Sequence, residues 1–153
     1  VQTHSIRANM CMASMGRIAH GGYITREMEQ TVVDEQVDKL QVKVASTEDA
    51  VSSLSGGNQQ KVVVGNWLST RPRVMLFDEP TRGIDVQAKQ QLFQVMWDLS
   101  REGIATVFVS TELEELVEVC HRILIMREGR IIGEVRPEDL SADEVALRCM
   151  GED

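Results

Sequence analysis

Residues 54–85 read LSGGNQQKVVVGNWLSTRPRVMLFDEPTRGID, and this stretch decides how the 153-residue chain is put together. Ser55 stands where a helix N-cap belongs, and Gly56 and Gly57 free the opening turn of side chains. The apolar pattern that follows predicts a helix over about 57–68, stopped by Ser-Thr-Arg-Pro-Arg. VMLF, residues 74–77, reads as a short hydrophobic strand that delivers Asp78 and Glu79 to its carboxyl end. Asp85 is placed to cap the next helix, with Ala88, Leu92, Val95, Met96 and Leu99 on one face and Gly103 as its stop.

Both halves of the stretch suit phosphate chemistry. Exposed N–H groups of a glycine turn, backed by the positive end of a helix dipole, make a place for a phosphate. An ordinary capped helix after a glycine loop would read the same way over Ser55, Gly56 and Gly57 alone. The carboxyl end of a buried strand is where α/β sheets place ligands. There one of Asp78 and Glu79 could hold magnesium and the other could orient or deprotonate a water. Pro80 is expected to hold Glu79 in extended backbone. An acidic, solvated turn is the plainer reading of Asp-Glu-Pro by itself. No G-x-x-x-x-G-K-[ST] phosphate loop occurs in the chain.

The remaining segments complete an α/β pattern with a helical portion first. Residues 5–20 are rich in Met and Ala and weakly helical, and Gly21 and Gly22 interrupt them. Thr25 is a plausible N-cap, with Glu27 in the first turn and Val32, Val33, Gln36, Val37 and Leu40 at helical spacing. IATVFV, residues 104–109, reads as a strand covered on both faces. Thr111 and Glu114 form a predicted capping box, as do Ser141 and Glu144, the latter with a Leu140–Val145 staple. RILIM, REGR and IIGEV predict a β-hairpin with Glu128-Gly129 at its tip. The division expected is a helical part over 1–68, a sheet core over 69–136 and a tail helix over 137–153.

Composition narrows the function classes. A length of 153 residues suits one domain, and 42% hydrophobic residues can build a core. A net charge of −8 argues against general nucleic-acid binding. Cys11, Cys120 and Cys149 are odd in number and far apart, which fits reduced thiols rather than a disulfide framework or a zinc site. His4, His20 and His121 show no ligand spacing. The start at Val1, without a leader-like apolar core, reads as that of a fragment or a processed chain.

LSGGNQQK followed by VMLFDEPTRGID resembles the signature motif, Walker B strand and D-loop of ATP-binding-cassette ATPases. LSGGNQQKVVVGNWL, DEPTRGIDV and REGRIIGE look more narrowly like the second nucleotide-binding domain of tandem ATPase subunits in bacterial sugar importers of the ribose, galactose and xylose type. The resemblance covers nearly the whole chain and implies a partial P-loop NTPase fold of α/β class, with a helical subdomain, a parallel-sheet core and a β-hairpin.

It implies roles for the matching positions. Ser55, Gly56 and Gly57 would contact the γ-phosphate of ATP held by an opposite domain. Asn58 stands where many relatives have glutamine, a change that keeps amide hydrogen bonding. Asp78 would serve the Mg2+ site, Glu79 would be the catalytic base, and Asp85 would be the D-loop aspartate at the dimer interface. The implied partners are a second ATPase domain, membrane permease subunits and, indirectly, a periplasmic sugar-binding protein. The implied location is peripheral, on the cytoplasmic face of the inner membrane.

One position departs from the family pattern. A histidine that senses the γ-phosphate is expected after the strand at 104–109, and Thr111 stands there. A hydroxyl lacks the reach and charge of imidazole. Thr111 as catalytic participant and Thr111 as plain N-cap both remain open, and weak hydrolysis at this domain's own site is expected. A non-transport ABC ATPase and a non-catalytic dimerisation module are the alternatives. Without the phosphate loop and further strands, the isolated chain is expected to expose apolar sheet surface and to self-associate.

Overall fold

The computed structural model describes residues 1–138 and 142–150. The described residues form two compact units. The first comprises Val1–Met75 and Thr81–Ala105, and the second Leu76–Pro80 and Thr106 onward.

The first unit is helical. Ser5 caps α1 (Ile6–Cys11), which runs through a 3-10 turn (Met12–Ser14) into α2 (Met15–Ile18). Gly21 and Gly22 follow with positive φ, as their chain break requires. Thr25 Oγ1 accepts from the Met28 N–H and opens α3 (Arg26–Leu40), whose apolar stripe buries Val32, Val33, Gln36 and Leu40. Gln41 ends it in left-handed backbone. A 3-10 turn (Val51–Ser53) leads into α4 (Gly56–Leu68), which packs against α1, α3 and α5 (Val86–Arg101). Ile6, Met10, Val33, Val62, Phe93, Met96 and Leu99 are fully enclosed. Gly65 lets α4 approach its neighbours, since a Cβ there would lie 3.2 Å from Leu40 Cδ1 and 3.3 Å from Met10 Cε.

α5 departs from the expected face in one respect: Phe93 is buried in place of Val95, which is half-buried. Its ends follow the sequence. Asp85 Oδ1 accepts from the Ala88 N–H at 2.9 Å, and Gly103 turns the chain at φ 82°. Loss of that cap by Asp85→Ala is expected to lower unfolding free energy by about 1 kcal/mol in a urea titration. A change near zero would mean that the cap bond contributes nothing.

Cys11 is buried and donates weakly to the Glu29 carbonyl at 3.5 Å. Burial pushes its thiol up to about 11, with Glu29 adding to the shift and Arg7 opposing it. It is therefore a core thiol rather than a nucleophile. Burial likewise raises the Cys120 thiol.

β1 (Val74–Asp78) and β2 (Ala105–Val109) are hydrogen-bonded neighbours in a parallel pair. The Ala105 N–H donates to Arg73 O and the Glu79 N–H to Val109 O. The expectation that the strand at 104–109 is covered on both faces does not hold. Val107 and Val109 are 50% and 52% exposed, and Leu76 of β1 is 75% exposed. Met75 and Phe77, the alternate residues of β1, are buried, so that strand is covered on one face only.

In the second unit, β3 (Ile123–Arg127) and β4 (Arg130–Val135) form the expected hairpin. Glu128 and Gly129 both take positive φ, the conformation that matches a two-residue turn to strand twist. A bulge lies where Ile125 faces Gly133 and Met126 faces Ile131. Ile123, Ile125, Val135 and Val145 of α7 (Ala142–Met150) form a core, flanked by Leu113, Leu116 and Val117 of α6 (Leu113–Val119). Ser141 and Leu140, the expected cap and staple of the tail helix, lie outside the described residues. Among the described residues, no helix is long and apolar enough to cross a membrane.

Candidate functional site

The candidate residues fall into two groups, one in each unit. Ser55, Gly56, Gly57, Asn58 and Asp85 belong to the first unit; Asp78, Glu79 and Thr111 belong to the second.

Ser55 occupies the N-cap position of α4 in extended backbone, as its residue type suggests. Its side chain makes no cap bond to the helix amides. Instead Asn58 Nδ2 donates to Ser55 Oγ at 3.1 Å, and Asn58 Oδ1 accepts from the Lys43 N–H at 3.1 Å. The amide of Asn58 thus holds the serine hydroxyl in place and leaves the opening N–H groups of α4 without a cap from Ser55. Ser55 and Gly56 are exposed. Further along α4, Lys61 is almost fully buried and donates from Nζ to the Gln41 carbonyl at 3.3 Å. Burial, with help from the nearby Lys43 charge, lowers its ammonium pKa.

The two glycines differ. A Cβ on Gly56 would meet nothing within 4 Å, so its backbone stands open. A Cβ on Gly57 would lie 2.6 Å from Ala88 Cβ. Gly57 therefore meets the first turn of α5 on its Cβ side, where Gly56 meets open space. Ala88 carried no sequence signal for this, because the contact joins segments 31 positions apart in number (88 − 57).

In the second group, Asp78 ends β1 with its side chain on the exposed alternation of the strand. Glu79 follows with φ 46°, in the left-handed region. The extended backbone expected ahead of Pro80 is not what forms. Its N–H is held by Val109 O at 2.9 Å, so a strand bond and a strained backbone aim the carboxylate.

Thr111 does not cap α6. Glu112 takes the N-cap position without a side-chain cap bond, while Ser110 Oγ accepts from the Glu112 N–H at 3.0 Å and donates to Glu115 Oε2 at 2.9 Å. The Thr111 hydroxyl is left to donate to Glu79 Oε2 at 3.5 Å, a long contact at the limit of hydrogen bonding. Two residues 32 positions apart are thereby brought together. Ser110 is the residue that sequence reasoning missed; its only signal is the acidic run that follows it.

Among the described residues, no group of three or more His, Cys, Asp or Glu side chains could hold a metal ion. Neighbouring Asp78 and Glu79 do not make an all-protein cage. They fit a Mg2+ ion that keeps its waters and binds mainly to phosphate oxygens, since that ion needs only one or two carboxylates.

The family model described as ABC transporter matches residues 1–82. Ribose import ATP-binding protein RbsA 2 of Agrobacterium fabrum is 44% identical over 142 residues, which are 92% of this chain and 28% of that protein. Ribose import ATP-binding protein RbsA of Caldanaerobacter subterraneus subsp. tengcongensis is 38% identical over 149 residues, 97% of this chain and 30% of that one. The chain thus spans less than a third of the length of these relatives. A dimeric ATP-binding cassette in a post-hydrolysis state, bound to ADP and Pi, superposes with a TM-score of 0.73 at 20% identity, covering 90% of this chain and 58% of that one. The ADP conformation of another cassette gives a TM-score of 0.75 at 18% identity, covering 97% and 60%. These likenesses show the fold to be that of ATP-binding cassettes, and the matched family model shows that this chain belongs to the ABC transporter family.

Proposed function

We propose that the chain is part of the second nucleotide-binding domain of an ATP-binding subunit in a bacterial ABC sugar importer, where it completes an ATP site held by an opposing domain. The observation that carries this reading is the exposed Ser55-Gly56 turn at the start of α4, whose amides Ser55 does not cap. The names of the two relatives given above, both ribose import ATP-binding proteins, support sugar as the cargo. The working site is peripheral, on the cytoplasmic face of the inner membrane, with permease subunits and a periplasmic sugar-binding protein as further partners. Gly56→Asp in the full-length subunit tests the shared site directly, by steady-state turnover.

In this reading the Ser55 hydroxyl and the opening N–H groups of α4 donate to the γ-phosphate of ATP on the facing domain. Asn58 keeps the hydroxyl oriented. Asp85 stands at the domain interface while capping α5. Asp78 would hold Mg2+, which supplies charge neutralisation on the phosphates when bound. Glu79 orients and deprotonates the attacking water at this domain's own site, and Thr111 donates to the Glu79 carboxylate or to a phosphate oxygen. ATP binding closes the two domains and hydrolysis reopens them, a ligand-driven population shift passed to the permease.

A threonine where the family carries a histidine makes this domain's own site the weaker of two. Glu79→Gln in the full-length subunit is therefore expected to lower ATPase turnover by about threefold or less, against about 100-fold for the matching glutamate of the other domain. Equal losses in the two variants would overturn that ranking.

A further inference from the structure

We propose that Ala88 is the positioning residue for the signature turn, and that the approach of Ala88 by itself requires glycine at position 57. The inference rests on the shared-site reading for its functional consequence, but its geometry stands alone. A Cβ on Gly57 would lie 2.6 Å from Ala88 Cβ and 3.5 Å from Ala88 Cα. The obstacle is a methyl fixed to helical backbone, so no side-chain rotation relieves it. Gly56, one residue earlier, has open space where its Cβ would be. The two adjacent glycines thus differ in their Cβ-side surroundings: that side of Gly56 is open and that side of Gly57 meets α5.

Ala88 is itself held. It is nearly buried, and its N–H donates to Asp85 Oδ1 at 2.9 Å. The cap of α5 fixes Ala88, and Ala88 fixes the first turn of α4. Ser55 Oγ and the Gly56 amide are carried on that turn, so Asp85 and the signature form one rigid piece. A displacement of the turn by about 1 Å is enough to spoil donor geometry at a phosphate. Asp85 therefore reaches the signature through backbone packing, in addition to any contact it makes at a domain interface.

The test uses the full-length subunit with its permease, carrying Gly57→Ala, Ala88→Gly or both. Gly57→Ala is expected to lower the thermal midpoint and to reduce kcat about tenfold or more, with KM for ATP changed less than about threefold. The double variant is expected to match Ala88→Gly alone in both midpoint and kcat, because the clashing methyl is gone. Should Gly57→Ala be too unstable to purify, adding Ala88→Gly is expected to return soluble, active protein. A double variant no better than Gly57→Ala overturns the proposal and assigns Gly57 to the ligand. Gly57→Ala with unchanged midpoint and turnover overturns it as well. Rescue of the midpoint together with full turnover in Gly56→Asp would leave the packing claim standing and sink the shared-site reading instead.

Discussion

Gly56→Asp in the full-length subunit is expected to lower ATPase turnover by about 100-fold or more while moving the thermal midpoint by no more than about 2 °C. The two halves of that expectation have different causes. Gly56 is the first residue of α4, is exposed, and has nothing within 4 Å of a Cβ built on it. Its φ is not among the positive values, so a side chain brings no backbone strain. A carboxylate in the first turn interacts favourably with the helix dipole, worth about 0.3–1 kcal/mol, so the fold is retained. In the shared-site reading the same carboxylate would occupy the place the phosphate needs and repel it, since like charges at close range in a partly dehydrated site cost several kcal/mol, on the order of the 2.7 kcal/mol of a 100-fold loss. Gly57→Asp would be a poorer probe, because Ala88 blocks its side chain and a loss of activity would have two origins. Turnover within twofold of the parent (a rough bound) would remove the signature from the reaction.

Phe93→Ala is expected to have the largest effect on stability, a loss of about 3–5 kcal/mol in a urea titration. Phe93 is 0% exposed and the bulkiest of the fully enclosed side chains. Its removal costs the transfer free energy of the ring and leaves a cavity in the core of the helical unit. A domain with 5–15 kcal/mol of total stability, the usual order, cannot absorb that at 37 °C without a large unfolded fraction. Val95→Ala, on the neighbouring half-buried position, is expected to cost well under half as much. Similar losses for the two would mean that the helix faces the core as the apolar spacing first suggests, with Val95 inside.

Much of the chain was legible without coordinates because it is governed by local rules. Thr25 and Asp85 cap their helices as short polar side chains do, and Gly103 and the Glu128-Gly129 pair turn the chain at positive φ. The hairpin register follows from a two-residue turn and alternation of Ile123 and Ile125 toward the core. The chemistry-bearing motifs were legible for the same reason: LSGGN and DEPTRGID place their donors and carboxylates at a helix start and a strand end by sequence alone.

What the sequence could not settle are choices made between segments. Glu79 ahead of Pro80 is locally disposed to extended backbone, yet the strand bond to Val109 and the turn that follows hold it at φ 46°. Thr111 satisfies the pattern of a capping box, yet Ser110 takes over the hydrogen bonding at the start of α6 and releases the Thr111 hydroxyl toward Glu79. A glycine pair looks uniform in one dimension, and only the approach of α5 divides it into one glycine open to solvent and one pressed against Ala88. The amino-acid sequence by itself determined most of the elements, the caps at Thr25 and Asp85 and the placement of the LSGGN and DEPTRGID motifs at a helix start and a strand end, because those depend on neighbours within one turn. Tertiary structure alone decided which of those side chains are free to act, because that depends on atoms that distant parts of the chain bring within a few ångströms.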